Sequence, residues 1–272
     1  MIKFSDITVS NMENALRGLR NPMNSWLYAD SSFEVWYEDY IDEIIFDYAI
    51  EWTKAFFPNV DKYELVDTNP FKDVYLYLQE NALSPYFECE KPLVGPDVPW
   101  DYVAFIGPKD MDLACRMVRA GSDEAKFTRQ IFVTLDITAP LYWWKEMDQY
   151  KVATTTNSTS TMHKIHSRPI EMSDFSADPH LQHSLTMQTI VEQCEKQRQL
   201  YIKTKNKDDW RALIQMLPES YNQLRTWTGN YQILRNIYFA RKNHKLQEWK
   251  DFCEMVEHLP YAADLILAQK GE

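Results

Sequence analysis

Glycine is scarce in this 272-residue chain, with only six. Neither G-x-G-x-x-G nor G-x-x-x-x-G-K-[ST] occurs, which excludes the two common glycine-rich phosphate cradles. Cysteine is scarcer still. Cys89, Cys115, Cys194 and Cys253 form no C-x-x-C pair, so free thiols in a cytoplasmic protein are the expectation. His163 and His166 lie three apart with no cysteine or second histidine pair nearby, so no zinc site is expected. No signal peptide and no long apolar run is present, which leads us to expect no membrane association. Positive charge is also short: 29 Lys and Arg stand against 40 Asp and Glu, a formal net charge of −11. That disfavours duplex nucleic acid and anionic membrane as partners. It still permits a single nucleotide in a locally basic pocket.

Apolar and aromatic residues are plentiful. Hydrophobic residues make up 45% of the chain, with 9 Trp, 16 Tyr and 13 Phe, enough for a sizeable core and for subunit contacts. The length suits one large domain or two small ones. Residues 32–57 carry Phe33, Trp36, Tyr40, Ile44, Tyr48 and Trp52 at spacings of three or four, which predicts a long amphipathic helix capped by Ser31 or Ser32. Pro85, Pro92, Pro96 and Pro99 mark a loop or short linker over 84–100. A helix is predicted over 109–120, stopped by Gly121. Further helices are predicted over 140–150, 181–204, 207–217, 226–241 and 246–258, with 164–179 irregular between Pro169 and Pro179.

The most informative stretch is 129–163. Ile131, Val133, Leu135 and Ile137 alternate with Phe132, Thr134 and Asp136, which is the periodicity of a half-buried strand. After a helical segment the chain runs into Thr154-Thr155-Thr156-Asn157-Ser158-Thr159-Ser160-Thr161. Short hydroxyl and amide side chains bond locally and hold a backbone in loop conformations. Such a loop can turn N–H groups toward an anion, and the same run also reads as a plain polar surface loop.

Strand, helix, small-hydroxyl loop and helix-rich C-terminal half, in that order, resemble the flavin-dependent thymidylate synthases. The family signature is R-H-R-x-x-S-x-N-x-x-S-x-R-Y. Laid on this chain from Tyr150, it places Thr155 on the first Ser, Asn157 on the Asn and Ser160 on the second Ser. Tyr150, Lys151 and Val152 stand where Arg-His-Arg belongs, and Met162 and His163 where Arg-Tyr belongs. A second block agrees in order and spacing. Leu217-Pro218 resembles the family's L-P, and Asn230, Leu234, Asn236 and Arg241 match an Asn, Leu, Asn and Arg pattern. Gln247 matches the Gln of the next segment, where Leu246 and Trp249 replace Ala and Glu. Residues 127–132 are similar to the strand upstream of the signature. The resemblance spans roughly 100–258.

The resemblance implies an α+β fold with a central, mainly antiparallel sheet, long helices and a helix-rich C-terminal half. Residues 1–272 form one domain on this reading, with 1–100 a helical N-terminal extension and 100–258 the synthase-like core. The implied activity is reductive one-carbon transfer to C5 of dUMP, with FAD and a folate donor, in a homotetramer with active sites at subunit contacts. Ser158, Thr159, Ser160 and Thr161 would hold the nucleotide. Lys151, Asn157, Asn230 and Asn236 would contact FAD. Arg241 would face the pyrimidine ring as the catalytic cation. Arg211, Arg225 and Arg235 are candidate substitutes for the missing phosphate arginine, and Trp143, Trp144 and Trp227 candidate stacking rings. A compact acidic chain with an altered signature suggests a phage-type member. The alternative is a catalytically inactive or repurposed homologue, serving as a binding or interaction protein.

Overall fold

The computed structural model describes residues 2–37, 40–82 and 100–269. The proline-bearing segment and Cys89 lie outside them. In chain order the elements are β1 (Lys3–Ser10), α1 (Met12–Arg20), β2 (Ser32–Tyr37), α2 (Ile41–Phe56), α3 (Lys62–Leu65) and α4 (Asn69–Ala82). Then come β3 (Trp100–Phe105), α5 (Pro108–Ala120), β4 (Phe132–Pro140), α6 (Leu141–Met147), β5 (Thr155–Ser158) and α7 (Thr161–Lys164). The remainder is α8 (Pro179–Gln182), α9 (Leu185–Thr204), α10 (Lys207–Met216), β6 (Asn222–Asn230), α11 (Tyr231–Arg241), α12 (Gln247–Glu257) and α13 (Ala262–Leu265). The fold is α+β with a mainly antiparallel sheet. The described strands form one sheet in the order β1-β4-β6-β5 and a two-stranded antiparallel sheet of β2 and β3. Among the described residues, no helix is long and apolar enough to cross a membrane.

The chain divides into two compact units. The first comprises Met1–Ile7, Thr134–Gly229 and Ala240–Cys253. Most of the four-stranded sheet falls in it. Along β4, Leu135, Ile137 and Ala139 are buried while Thr134, Asp136 and Thr138 between them are half-buried, the alternation read from the sequence. Trp143, Trp144, Trp249 and Phe252 pack into one aromatic core, with the Trp143 and Trp249 rings 4.9 Å apart. Ile165, Ile170, Phe175, Met187, Cys194 and Leu213 make a second core under α9 and α10.

The second unit comprises Thr8–Val133, Asn230–Phe239 and Glu254–Glu272. Its core gathers Ile45, Ala49, Leu65, Phe71 and Leu78 from α2, α3 and α4 with Val103 and Phe105 of β3. Arg20 and Asp110, both buried, pair at 2.7 Å, and Asp110 also accepts the Ser31 backbone N–H and hydroxyl. These bonds satisfy a buried carboxylate that would otherwise be costly. α5 runs over Pro108–Ala120 and ends at Gly121 with φ 132°, a conformation glycine adopts without steric cost, as expected.

Three expectations change. The long helix over 32–57 is a strand over Ser32–Tyr37 followed by a helix over Ile41–Phe56. Aromatic and β-branched residues there favour a strand once a partner exists, and β3 supplies it across more than sixty residues, with Ser32 opposite Phe105. The predicted helix over 226–241 begins only at Tyr231, because Asn222–Asn230 is β6. Thr226, Trp227 and Thr228 are strand formers, and Asn230 Oδ1 accepts the Ile233 N–H at 3.0 Å, which is how a helix N-cap behaves. Part of the hydroxyl loop is also regular: Thr155–Ser158 is the strand β5, antiparallel to β6, with Asn157 opposite Thr226. The helices over 109–120, 140–150, 181–204, 207–217 and 246–258 occur as α5, α6, α9, α10 and α12, within a few residues of the expected bounds.

Candidate functional site

Among the described residues, a cavity of the first unit lies beside each end of β5. The larger holds about 340 Å³, within the size range of small-molecule sites. Thr159, Ser160 and Thr161 line it, followed by Lys164, Ser167 and Arg168, with Ser173, Asp174 and Asn222 on the wall. The backbone there is held by the sheet and by a cap. Thr159 donates its N–H, at 2.9 Å, and its hydroxyl, at 3.1 Å, to the Leu224 carbonyl. Gln223 Nε2 donates to the Thr159 carbonyl at 2.8 Å. Ser160 Oγ accepts the His163 N–H at 3.0 Å and so caps α7. A hydroxyl that accepts in this way keeps its own proton to donate.

The expected donors are thus narrower than the sequence suggests. Ser158 is part of β5, opposite Arg225. Thr159 spends both donors on Leu224. Ser160 and Thr161 keep hydroxyls at the cavity. Cations that sequence reasoning passed over stand beside them. Arg168 forks onto Asp174, with Nη1 donating to Oδ2 at 3.0 Å and Nη2 to Oδ1. The bond from Asp174 raises the arginine's pKa further above its usual value. Lys164 follows Met162 by two residues, and that proximity to the lost signature arginine was the signal available in the sequence.

The second cavity, of about 290 Å³, is lined by Met147, Asp148, Tyr150, Lys151, Thr154, Thr156 and Trp227. Lys151, expected at FAD, and Trp227, a candidate stacking ring, meet here. Trp227 is only 1% exposed, so its ring floors the cavity and does not lie open for stacking on both faces. The lining carries one lysine, the hydroxyls of Tyr150, Thr154 and Thr156, and the Asp148 carboxylate, which pairs with Arg225 at 2.8 Å; Lys151 is the donor there that suits a phosphate-bearing part of a dinucleotide. Asn157 is exposed on β5 between the two cavities' lining residues.

Arg241 lines neither cavity. Its Nε donates to the Tyr150 hydroxyl at 2.8 Å and its Nη1 to Glu146 Oε2 at 2.7 Å. Its guanidinium lies over the Trp249 ring, 4.7 Å from the centroid. Trp249 Nε1 donates to the same Glu146 oxygen at 3.0 Å. Arg225 is held by Asp148 at 2.8 Å and lies over Trp144. Trp143 and Trp144 are fully buried, and Trp144 Nε1 donates to the Gln223 carbonyl. Both rings belong to the core.

The other expected residues lie in the second unit or on the surface. Asn230 is buried and caps α11, while Asn236 is exposed and accepts from Gln232 Nε2 at 3.1 Å. Arg235 donates to the Ile266 carbonyl and lies over Phe239, and burial lowers its pKa. Arg211 is exposed on α10. Burial, then the Asp264 carboxylate, pushes the Cys115 thiol up to about 11, and burial also raises Cys194, the opposite of what an activated thiolate needs. Among the described residues no group of three or more His, Cys, Asp or Glu is placed to hold a metal ion.

No protein-family model matches the chain, and no curated protein does. Solved structures do. The crystal structure of thymidylate synthase X (ThyX) from Helicobacter pylori with FAD and dUMP is 12% identical and aligns over 98% of this chain and 97% of that one, with a TM-score of 0.56. A second crystal structure of the flavin-dependent thymidylate synthase ThyX from the same organism, complexed with FAD and dUMP, is 13% identical over 81% of this chain and 93% of that one, with a TM-score of 0.48. The first likeness runs nearly end to end, and at such identity it speaks to architecture: the chain is a divergent bearer of the flavin-dependent thymidylate synthase fold.

Proposed function

We propose that the protein binds a pyrimidine deoxynucleotide and carries out reductive one-carbon transfer to C5 of dUMP, with FAD and a folate donor. The observation that carries this reading is the 340 Å³ cavity formed by Thr159, Ser160 and Thr161, the segment that matches the family's phosphate position. It lies within the fold of a synthase whose structural relative is crystallised with FAD and dUMP. On this reading Ser160 and Thr161 donate hydroxyl hydrogen bonds to the phosphate, while Ser158 and Thr159 fix the strand end that positions them. The bound flavin supplies the hydride, and the folate supplies the carbon.

Lys151 is the residue proposed to meet the negative charge of FAD, from the second cavity. Asn157, Asn230 and Asn236 complete the proposed flavin contacts; Asn230 acts through the start of α11, which it caps. Arg241 is the proposed catalytic cation. Glu146 and Tyr150 hold its Nη1 and Nε, so its orientation is set before substrate arrives. A fixed cation beside a pyrimidine ring would stabilise the negative charge that develops on the ring as C5 becomes nucleophilic toward the one-carbon unit. Assembly into a homotetramer is part of the same proposal, and sedimentation velocity of the full chain measures it.

The test is tritium release from C5-labelled dUMP under anaerobic conditions with reduced FAD and methylenetetrahydrofolate. Wild type should release tritium. Arg241→Ala should do so on the order of 10²- to 10³-fold more slowly, the cost of removing one preorganised donor, with circular dichroism confirming a folded protein. If wild type releases none, the second reading takes over: a repurposed homologue that has kept the fold. Two observations favour that reading. Arg241 is already paired with Glu146, and apolar Met162 and Val152 stand where the signature has arginines.

A further inference from the structure

We propose that Lys164 and Arg168 carry the charge of the nucleotide phosphate in the larger cavity, replacing the arginine whose place Met162 occupies, and that Asp174 positions Arg168 for this task. The inference rests on the nucleotide reading above and names the ligands of that same site. Met162 is half exposed and has no donor to offer an anion. Lys164 and Arg168 both line the cavity, together with the hydroxyl-bearing Ser160, Thr161, Ser167 and Ser173. Of the charged residues on that lining, two are cations and one, Asp174, is a carboxylate. The wall is therefore net positive in a chain whose formal charge is −11.

Asp174 does more than subtract a charge. Its side chain is 8% exposed, against 61% for Arg168. Asp174 Oδ2 accepts from Arg168 Nη1 at 3.0 Å and from the Glu171 N–H at 2.9 Å, and Oδ1 accepts from Nη2. The buried carboxylate thus clamps one edge of the guanidinium to the floor of a capped turn. Nη1 also donates to the Pro169 carbonyl at 3.2 Å, so the donors facing the other way are the parallel Nε–H and the second N–H of Nη2, and a planar fork fixed in this way matches two phosphate oxygens. Lys164 complements it as a mobile point charge. Its backbone is fixed, with its N–H donating to the Ser160 carbonyl and its carbonyl accepting the Ser167 hydroxyl at 2.7 Å.

Calorimetric titration of the full chain with dUMP, deoxyuridine and inorganic phosphate tests this. K164A and R168A should each weaken dUMP on the order of ten- to a hundredfold, the range for a lost hydrogen bond to a charged group. Deoxyuridine, which lacks the phosphate, should bind all variants equally. R168K keeps the charge but loses the fork, and should also weaken dUMP. D174N separates positioning from charge. Removing a negative charge should tighten phosphate if charge alone matters, and should loosen it if Asp174 aims the guanidinium. Unchanged or tighter dUMP binding in both D174N and R168K overturns the positioning role. Equal dUMP affinity in wild type, K164A and R168A overturns the whole inference and leaves the nucleotide reading standing. If inorganic phosphate binds through Lys164 and Arg168 but dUMP does not bind, the ligand assignment stands and the nucleotide reading fails. If wild type binds neither, both fail.

Discussion

Trp227 and Gly229 show how much one side chain decides around the smaller cavity. They are two residues apart on β6 and share a face. A Cβ placed on Gly229 would come within 2.2 Å of the Trp227 ring, and that ring is buried and cannot swing out. Gly229→Ala should therefore lower stability by about 1–3 kcal/mol, the usual cost of overpacking a core, and displace the ring that floors the cavity. Thermal denaturation followed by tryptophan fluorescence measures both effects; an unchanged midpoint and spectrum would show that the ring has room to move. The same scale shows what the position of an arginine in the sequence leaves open. Arg225, Arg235 and Arg241 each lie over an aromatic ring and donate to an oxygen of the protein. Spacing along a helix reports that an arginine is present, and burial and pairing decide whether its charge is available.

Among the elements, α9 holds the wall of the larger cavity through one ion pair. Glu195 accepts from Arg198 Nε and Nη2, both at 2.7 Å, and from the Ile170 N–H at 2.8 Å. Arg198 Nη1 donates in turn to the His166 carbonyl at 3.0 Å. The bonds from Arg198 chiefly, then those from Ile170 and Gln199, hold the Glu195 carboxyl down to about 2, from an ordinary 4.5. A depressed carboxyl pKa contributes stability above the unfolded value and loses it as pH falls through the folded one. The contribution, on the order of 3 kcal/mol, should be present at pH 5 and gone near pH 2. Urea denaturation across that range should show a steeper acid limb in wild type than in Glu195→Gln; parallel limbs would mean the pair adds nothing.

Elements with local causes were legible in the sequence. α5 is bounded by Pro108 and Gly121, and β4 shows its alternation within nine residues. β2, β5 and β6 were not legible, because each depends on a partner far along the chain. Ser32–Tyr37 meets β3, and Thr155–Ser158 meets β6 from nearly seventy residues away. Aromatic spacing of three or four is compatible with helix or strand until the partner is known. The candidate site followed the same rule. Ser160 and Thr161 were legible from the hydroxyl run, whereas Lys164, Arg168 and Asp174 come together only through the turn after α7, which no local periodicity encodes.

For the whole molecule, the account joins a fold to a ligand through one short segment. The fold is that of the flavin-dependent thymidylate synthases, and Thr159–Thr161 lines the cavity in which the nucleotide phosphate is proposed to sit. Ser160→Asp tests that segment with little risk to folding. Ser160 caps α7 by accepting the His163 N–H, and aspartate is an equally good N-cap. The substitution therefore keeps the turn while placing a carboxylate where the phosphate would lie. The deciding measurement is equilibrium dialysis of labelled dUMP against wild type and Ser160→Asp, with denaturation midpoints matched. The account predicts saturable binding to wild type that falls at least about tenfold in the variant, from repulsion of like charges at contact distance. Equal affinity in the two proteins would contradict it.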